Sequence, residues 1–204
     1  MMKTVLLGDS FTRGFGVPAR ECWASRLSDK AEISCSREQI ILNKGINGDT
    51  TSGMLARFNN DVIKESPRYV VITGGLNDFI CGCSVSDVQS NYMAMVHQAF
   101  HNKIIPIVAA APEIIPSMIR PQWLCMGDYS VVLEKQAACL SALRTMSQAF
   151  NLYMLDFYHE FNTKTTGIKK SRFYIDGLHF TSSGHELIGD IAFDFIKTLR
   201  GGAF

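Results

Sequence analysis

The sequence predicts one α/β domain, a three-layer α/β/α sandwich around a five-stranded parallel sheet. Short runs of apolar and β-branched residues alternate along the chain with longer amphipathic stretches, which is the pattern of repeated strand–helix–strand units. The 204 residues can build one sizeable core, and no Pro/Ser/Gly-rich linker or charge block divides them. We therefore expect residues 1–204 to form a single domain.

Five runs of the chain are predicted to be strands. Each is β-branched or apolar and is bounded by Gly, Asn, Asp or Pro. Near-continuous apolar runs of this kind are typical of parallel strands that are buried on both faces, so we expect a flavodoxin-like sheet. The predicted strands are 3–7, 39–43, 69–73, 104–109 and 152–157.

Four of the other stretches repeat apolar residues at helical spacing. One follows Thr50, and the next follows Ser86, which with Gln89 three residues later has the pattern of a capping box. The final helix has Ser183 and Glu186 as its predicted cap pair. The first apolar positions of the four stripes are Met54 and Leu55, Val88 and Tyr92, Val132 and Leu133, and Leu187 and Ile188.

The composition excludes several classes of partner. Twenty Lys plus Arg stand against nineteen Asp plus Glu, with no basic stripe carrying aromatics, so we expect no nucleic-acid partner. The initial apolar run of about four residues is too short for a signal segment or a membrane span, and we expect a cytoplasmic protein without integral membrane association. In that compartment cysteines stay reduced. We expect free thiols at Cys22, Cys35, Cys81, Cys83, Cys125 and Cys139.

The two ends of the chain carry the residue types of a hydrolytic triad. Ser10 stands at the end of the first predicted strand, in GDSFTRGFG, while Asp176 and His179 stand three residues apart in DGLHFTSSGHE. A serine hydroxyl becomes a useful nucleophile when an adjacent imidazole takes its proton and an acceptor orients that imidazole. Taken singly, Ser10 also fits a turn or helix cap, and His179 a structural histidine.

Two further loops offer donors for a developing oxyanion. In NKGINGDTT, after the second strand, Gly48 is the glycine better placed to bring a backbone N–H to a ligand. In TGGLND, after the third strand, Asn77 offers a side-chain amide, and we expect Asp78 to brace its loop. Alone, the first loop also fits a phosphate cradle and the second a turn. Because all these motifs fall at the carboxyl edge of one sheet, their conjunction favours catalysis.

Other candidate residues are weaker. His97 and His101 lie four apart on a predicted helix, and Cys81 and Cys83 flank one glycine, but neither pair comes with the further ligands of a metal site, so we expect no metal. His185 and His159 are rival bases, placed in a helix start and after the last strand.

The four motifs together resemble the SGNH hydrolases of the GDSL esterase/lipase superfamily. The resemblance runs from GDS at 8–10 to DGLH at 176–179 and covers nearly the whole chain. It implies that Ser10 is the nucleophile, Asp176 the orienting acid and His179 the general base. It also implies an oxyanion hole formed by the N–H groups of Ser10 and Gly48 and the amide of Asn77.

Two departures from the family pattern bear on substrate rather than mechanism. Phe11 stands where the family name has Leu, and Leu76 precedes Asn77 where many members have a small residue. The apolar, proline-punctuated stretch after strand four is a second determinant. Its residues Ile114, Met118 and Trp123 are predicted to wall an acyl-binding cleft, with a loop packed on its own helix, or an interface for a second subunit, as the alternatives.

The sequence therefore predicts a serine esterase that cleaves carboxylic esters or thioesters through an acyl-enzyme, without cofactor or metal. Its expected partner is a small-molecule acyl ester, and a homo-oligomer stays open. A non-catalytic small-molecule binder on the same sheet, and an acyltransferase using the same triad, are the competing hypotheses.

Overall fold

The computed structural model describes residues 2–34 and 39–201. Five strands form one parallel sheet in the order β2-β1-β3-β4-β5, which confirms the predicted flavodoxin-like α/β/α fold. The strands are β1 (Met2–Gly8), β2 (Gln39–Gly45), β3 (Tyr69–Thr73), β4 (Ile105–Ala110) and β5 (Tyr153–Asp156).

The strand order creates a switch point at the middle of the sheet. From β1 the chain crosses outward to β2, and then returns to pair β3 with the other side of β1, Val5 opposite Val70 and Gly8 opposite Thr73. The loops that follow β1 and β3 therefore diverge at the carboxyl edge. In open α/β sheets this crevice is where ligands bind.

Nine α-helices are present in the described part of the chain. Three are single turns or little more, and the others cover the faces of the sheet. They are α1 (Ser10–Arg13), α2 (Trp23–Ser34), α3 (Thr51–Asp61), α4 (Leu76–Ile80), α5 (Val85–His101), α6 (Pro121–Leu124), α7 (Tyr129–Ala149), α8 (Phe157–Lys164) and α9 (Ser182–Gly201). None of them is both long and apolar enough to cross a bilayer.

Alternating strand residues bury two separate cores. Val5 and Val70 point to one face, where they pack with α3, α5 and α7. Leu6 and Val71 point to the other face, where they pack with α2, α8 and α9. Both faces of the sheet are covered, as the near-continuous apolar runs indicated.

Both predicted cap pairs were wrong by two residues. Helix α5 begins at Val85, so Ser84 is its N-cap and Asp87 completes the capping box, in place of Ser86 and Gln89. Helix α9 begins at Ser182, and the Thr181 hydroxyl accepts from Gly184 N at 3.2 Å. In both helices, the hydroxyl directly before the first helical residue accepts from an unpaired backbone N–H group of the first turn. This bond forms whichever residue lies three positions further along the chain.

Helix α2 was not predicted. Its buried residues Trp23, Leu27 and Ala31 recur every four positions, which is a helical signal that the sequence did contain. Polar and charged residues between them dilute that signal. The strand boundaries differ from prediction by one or two residues at most, because pairing with a neighbour extends a strand beyond its apolar stretch, as in β2 to Gly45.

Candidate active site

Ser10 occupies the first turn of α1, directly after β1. Asp9 is the N-cap of this helix, and its Oδ1 accepts from Phe11 N at 2.9 Å. Gly8 has no room for a side chain, since a Cβ there would lie 2.1 Å from Thr12 Oγ1 and 2.8 Å from Thr73 O. The strand can therefore turn sharply into the helix, which leaves the Ser10 N–H at a helix N-terminus with no partner inside the helix.

Asp176 and His179 sit in a loop that caps itself. Asp176 Oδ1 accepts from Leu178 N at 3.1 Å and from His179 N at 2.8 Å. Gly177 has φ +82°, and a Cβ on it would lie 2.5 Å from Ile115 O. The turn is thus fixed by its own backbone, and it brings the carboxylate under the imidazole three residues on.

The structure brings the three predicted triad residues together. His179 Nδ1 lies 2.9 Å from Asp176 Oδ2 and 3.1 Å from Oδ1, and His179 Nε2 lies 3.2 Å from Ser10 Oγ. The Asp176 side chain is 2% exposed and the His179 side chain 12%. Burial raises the pKa of Asp176, but hydrogen bonds from the His179 ring and backbone, with that of Leu178, outweigh it and lower this pKa to about 2.

The second and third loops meet beside Ser10. Asn77 Nδ2 donates to Asp49 O at 2.9 Å and lies 3.5 Å from Asp9 Oδ2. Gly48 precedes Asp49 and has φ +75°, with open space where a Cβ would be. The contacts of Asn77 thus join the loops after β1, β2 and β3 at one point of the sheet edge.

Asp78 braces these loops, as the sequence indicated. Its buried carboxylate accepts from Thr51 N at 2.9 Å and from Thr51 Oγ1 at 2.6 Å, and Asn91 Nδ2 donates to the same hydroxyl at 2.9 Å. The start of α3 is thereby tied to α4 and α5. The loop that carries Gly48 ends at this junction.

Sequence reasoning missed Arg57. Its guanidinium donates to Asp49 Oδ2 at 2.8 Å, to Asp61 Oδ2 at 2.6 Å, and to the main-chain oxygens of Lys44 at 2.8 Å and Gly8 at 3.0 Å. The last two oxygens lie at the ends of β2 and β1. Arg57 therefore fixes the starting points of two site loops, and its spacing of four from Asp61 on a helix was the available signal.

Asp9 is a second buried carboxylate of the site. It is 5% exposed, and burial raises its pKa from 3.8 to about 6, against the lowering effects of the Phe11 N–H and of His179. Its two hydrogen-bond contacts are Phe11 N and the longer approach of Asn77.

A largely apolar cavity of about 40 Å³ lies beside Ser10. Phe11 and Leu76, the two departures from the family pattern, both line it, and so does Ile114 from the predicted acyl wall. Helix α7 contributes Cys139, Leu140 and Leu143 to the lining of this cavity. Phe79, Leu178 and Phe180 line it as well.

The other two predicted wall residues lie elsewhere. Met118 packs against the core on the α2 and α9 face. Trp123 donates from Nε1 to Asp176 Oδ2 at 3.0 Å, and its ring lies 5.9 Å from the His179 ring, centre to centre.

The rival bases and ligands make other contacts. The Nδ1 of buried His185 accepts from Trp23 N at 3.4 Å, and burial, with Arg26 and His179, lowers the pKa of His185 to about 4. The rings of His97 and Phe150 are 6.3 Å apart, and His159 lies in the first turn of α8. Free thiols are found at Cys22, Cys81, Cys83, Cys125 and Cys139, while Cys35 lies outside the described residues.

Residues 6–187 match the GDSL-like lipase/acylhydrolase family. The chain belongs to this family. Among curated relatives, the arylesterase of Vibrio mimicus is 33% identical over 94 residues, 46% of each chain, and the esterase TesA of Pseudomonas aeruginosa is 30% identical over 95 residues, 47% of each chain. The matched segment spans about half the length of these relatives.

Solved structures of the GDSL family share the whole fold. The lipase/acylhydrolase from Enterococcus faecalis superposes with a TM-score of 0.78 at 26% identity, covering 98% of this chain and 97% of that one. The psychrotrophic esterase EstA from Pseudoalteromonas has a TM-score of 0.76 at 24% identity, covering 99% and 100%.

Proposed function

We propose that this protein is a serine esterase that cleaves carboxylic esters through a covalent acyl-enzyme on Ser10. The observation that carries the proposal is the continuous contact from Asp176 through His179 to Ser10, made by residues 169 positions apart. Membership of the GDSL-like lipase/acylhydrolase family supports it, as do relatives named arylesterase and esterase.

The reaction proceeds in two displacements at the acyl carbon. His179 Nε2 takes the Ser10 proton while Oγ attacks the carbonyl, and the tetrahedral intermediate collapses when the imidazolium gives that proton to the leaving alcohol. Water then attacks the acyl-enzyme with the same base, and Ser10 leaves with the returned proton. Asp176 stays ionised throughout and holds the imidazole in the tautomer that has hydrogen on Nδ1.

The oxyanion is bound by the N–H groups of Ser10 and Gly48 together with the Asn77 amide. Supporting this assignment, the Ser10 N–H lies at a helix N-terminus, and the Asn77 amide donates its short hydrogen bond to the main-chain oxygen of Asp49, the residue after Gly48. The second amide hydrogen of Asn77 makes only the longer approach of 3.5 Å to Asp9 Oδ2, and a substrate oxygen can take its place. Such donors act on the charge that develops in the transition state.

The acyl group is short. A cavity of about 40 Å³ beside the nucleophile gives room for about three water-sized groups, since each needs on the order of 10–15 Å³. Leu140 and Leu143 of α7 are among the apolar side chains that line it. We expect acetyl and butyryl esters to be cleaved faster than esters of long-chain acids, with kcat/KM falling once the chain outgrows the cavity.

Steady-state hydrolysis of p-nitrophenyl esters from acetate to palmitate tests the proposal. Ser10→Ala is expected to leave only the rate supplied by binding and the oxyanion donors, several orders of magnitude below wild type. Ser141→Ala, an exposed serine on α7, is the matched control and should match wild type. Unchanged turnover in Ser10→Ala would refute the esterase assignment, and a rate that rises with chain length would refute the short acyl group.

We also place the enzyme in the cytoplasm, where its thiols remain reduced. The free thiols at Cys22, Cys81, Cys83, Cys125 and Cys139 support this. Cell fractionation tests it, because recovery of the protein outside the cytoplasmic fraction contradicts the placement.

A further inference from the structure

Residues 111–128, which we name the strap, connect β4 to α7 and lie against the segment that carries Asp176 and His179. Tyr174 Oη donates to Glu113 O at 2.6 Å, and Lys170 Nζ to Glu113 Oε2 at 2.8 Å. Further along, Ile115 N donates to Gly177 O at 2.9 Å. The strap is therefore fixed to the acid–base segment through its first residues.

The far end of the strap reaches the acid itself. Arg120 donates to Ile175 O at 3.0 Å, and Trp123 Nε1 donates to Asp176 Oδ2 at 3.0 Å. Tyr129 Oη donates back to Trp123 O at 3.1 Å, and the Phe15 ring lies 6.4 Å from that of Trp123. Trp123 is thus held through its backbone carbonyl and through its ring contact with Phe15, while its indole N–H contacts the Asp176 carboxylate.

The two oxygens of Asp176 are bound differently. Oδ1 accepts from the backbone N–H groups of Leu178 and His179 in the same turn, and His179 Nδ1 approaches both oxygens. Oδ2 also takes the indole N–H of Trp123. Among the described residues, Trp123 is the donor to Asp176 that comes from outside its own turn.

We infer that Trp123 is a positioning residue for the triad, whose indole N–H orients the Asp176 carboxylate so that Oδ2 faces His179 Nδ1. This inference rests on the proposed esterase function. It gives Trp123 a role in the rate of the chemical step, where the sequence had suggested a wall for the acyl chain. The cavity beside Ser10 is lined by other residues of the strap and sheet edge, such as Pro112 and Ile114.

Removal of the indole frees Asp176 Oδ2 from its donor outside the turn. The Asp176 carboxylate can then rotate about the Cβ–Cγ bond. The charge on Oδ2 is also no longer shared between the indole and the imidazole. Rotation weakens the orientation of His179 and lowers kcat. A hydrogen bond to a charged group contributes roughly enough for a tenfold effect, so kcat should fall by about tenfold, equivalent to about 1.4 kcal/mol of barrier.

The unshared charge on Oδ2 also stabilises the imidazolium. The acid limb of the pH dependence of kcat/KM should therefore move to higher pH, by about half a unit. Asp9, Tyr129 and His185 also interact electrostatically with the Asp176–His179 pair. They are unchanged in the variants below, so the comparison with wild type removes their contribution.

The test compares Trp123→Phe and Trp123→His with wild type on p-nitrophenyl acetate and butyrate. Phenylalanine keeps an aromatic ring against Phe15 but removes the donor. In histidine, Nε2 occupies the ring position that corresponds to indole Nε1, so its N–H can restore the bond. Leu124→Ala, an exposed neighbour in the same helical turn, is the matched control.

We expect Trp123→Phe to lower kcat about tenfold with KM changed less than about twofold on both esters, and to shift the acid limb upward. Trp123→His should recover most of the wild-type kcat and the wild-type position of the acid limb of the pH dependence. Leu124→Ala should behave as wild type. Wild-type kcat with an unmoved limb in Trp123→Phe overturns the inference. So does a rise in KM that grows with acyl length, because that is the behaviour of a substrate wall.

A spectroscopic measurement covers the case in which Trp123→Phe fails to fold. The chain has two tryptophans, and the Trp23 indole donates to Phe11 O at 2.9 Å. In ¹H–¹⁵N spectra, Asp176→Asn should move the Trp123 indole signal upfield and leave that of Trp23 in place. An unmoved Trp123 signal overturns the inference.

The Ser10→Ala variant separates the two proposals. If it is inactive while Trp123→Phe equals wild type, the positioning inference alone fails. If Ser10→Ala retains full activity, the esterase assignment fails and the inference fails with it.

Discussion

Asp9 and Asp176 are two buried carboxylates that flank the same Ser10–His179 pair, yet their pKa values move in opposite directions. Exposure does not distinguish them, at 5% and 2%. Burial raises the pKa of both, to about 6 for Asp9, while for Asp176 hydrogen bonds outweigh burial and give a pKa of about 2. Deeper burial at Asp9 and the larger number of donors at Asp176 together decide the outcome.

The donors differ because the two loops differ. Asp176 faces two N–H groups of its own turn, the imidazole and the indole of Trp123. Asp9 receives one short backbone bond, and the amide of Asn77 at 3.5 Å. One sheet edge thus holds a carboxylate whose pKa is lowered to about 2 and another whose pKa is raised to about 6. The difference supports the proposal that Asp176 is the acid of the triad.

The largest effect that tests this comparison is expected from Asp176→Asn. The amide keeps the shape but favours the wrong imidazole tautomer, so kcat should fall by about 10⁴-fold. The equivalent change at Asp9, Asp9→Asn, should cost far less, because that carboxylate is not bonded to His179. Steady-state kinetics on p-nitrophenyl acetate compares the two, and equal losses would remove the distinction between them.

The next largest effect is expected from Asn77→Ala. It removes a proposed oxyanion donor, and kcat should fall on the order of a hundred- to a thousandfold with little change in KM. The kinetic loss is measured at pH 8 with p-nitrophenyl acetate. A loss confined to KM would mean that Asn77 binds the ground state instead.

The smallest effect concerns stability. The pKa of Asp9 in the folded state is raised above its unfolded value. The ionised carboxylate therefore destabilises the fold fully above about pH 6, progressively less between about pH 6 and pH 4, and not at all below about pH 4. Asp9→Asn should therefore raise the free energy of unfolding at pH 8 by up to about 3 kcal/mol. Urea unfolding at pH 8 and pH 4 measures this. The gain should vanish at pH 4, and an equal gain at both values would contradict the charge argument.

Much of the fold could be predicted because its causes are local. Five apolar runs predicted the five strands. The loops that follow the first three strands contained the candidate residues Ser10, Gly48 and Asn77. The short Asp176–His179 spacing pointed to one turn. Helix α2 was missed because tertiary burial of Trp23 and Leu27, more than a clean amphipathic period, stabilises it.

The residues that support the site could not be predicted because their partners are distant in sequence. Arg57 reaches Gly8 O across 49 positions, and Trp123 reaches Asp176 across 53. Nothing in the local sequence of either residue indicates those bonds. The apolar residues next to Trp123 in the sequence favoured a role in a substrate wall, whereas its indole nitrogen donates a hydrogen bond to Asp176.

The proposed reaction depends on a nucleophilic Ser10 activated by His179. The most direct measurement is intact-protein and peptide mass spectrometry after treatment with an ethyl p-nitrophenyl phosphonate. We expect one phosphonyl group per chain on the peptide that contains Ser10, much slower labelling in His179→Ala, and none in Ser10→Ala. Wild-type protein that stays unlabelled at Ser10, or labelling at the same rate without His179, would contradict the account.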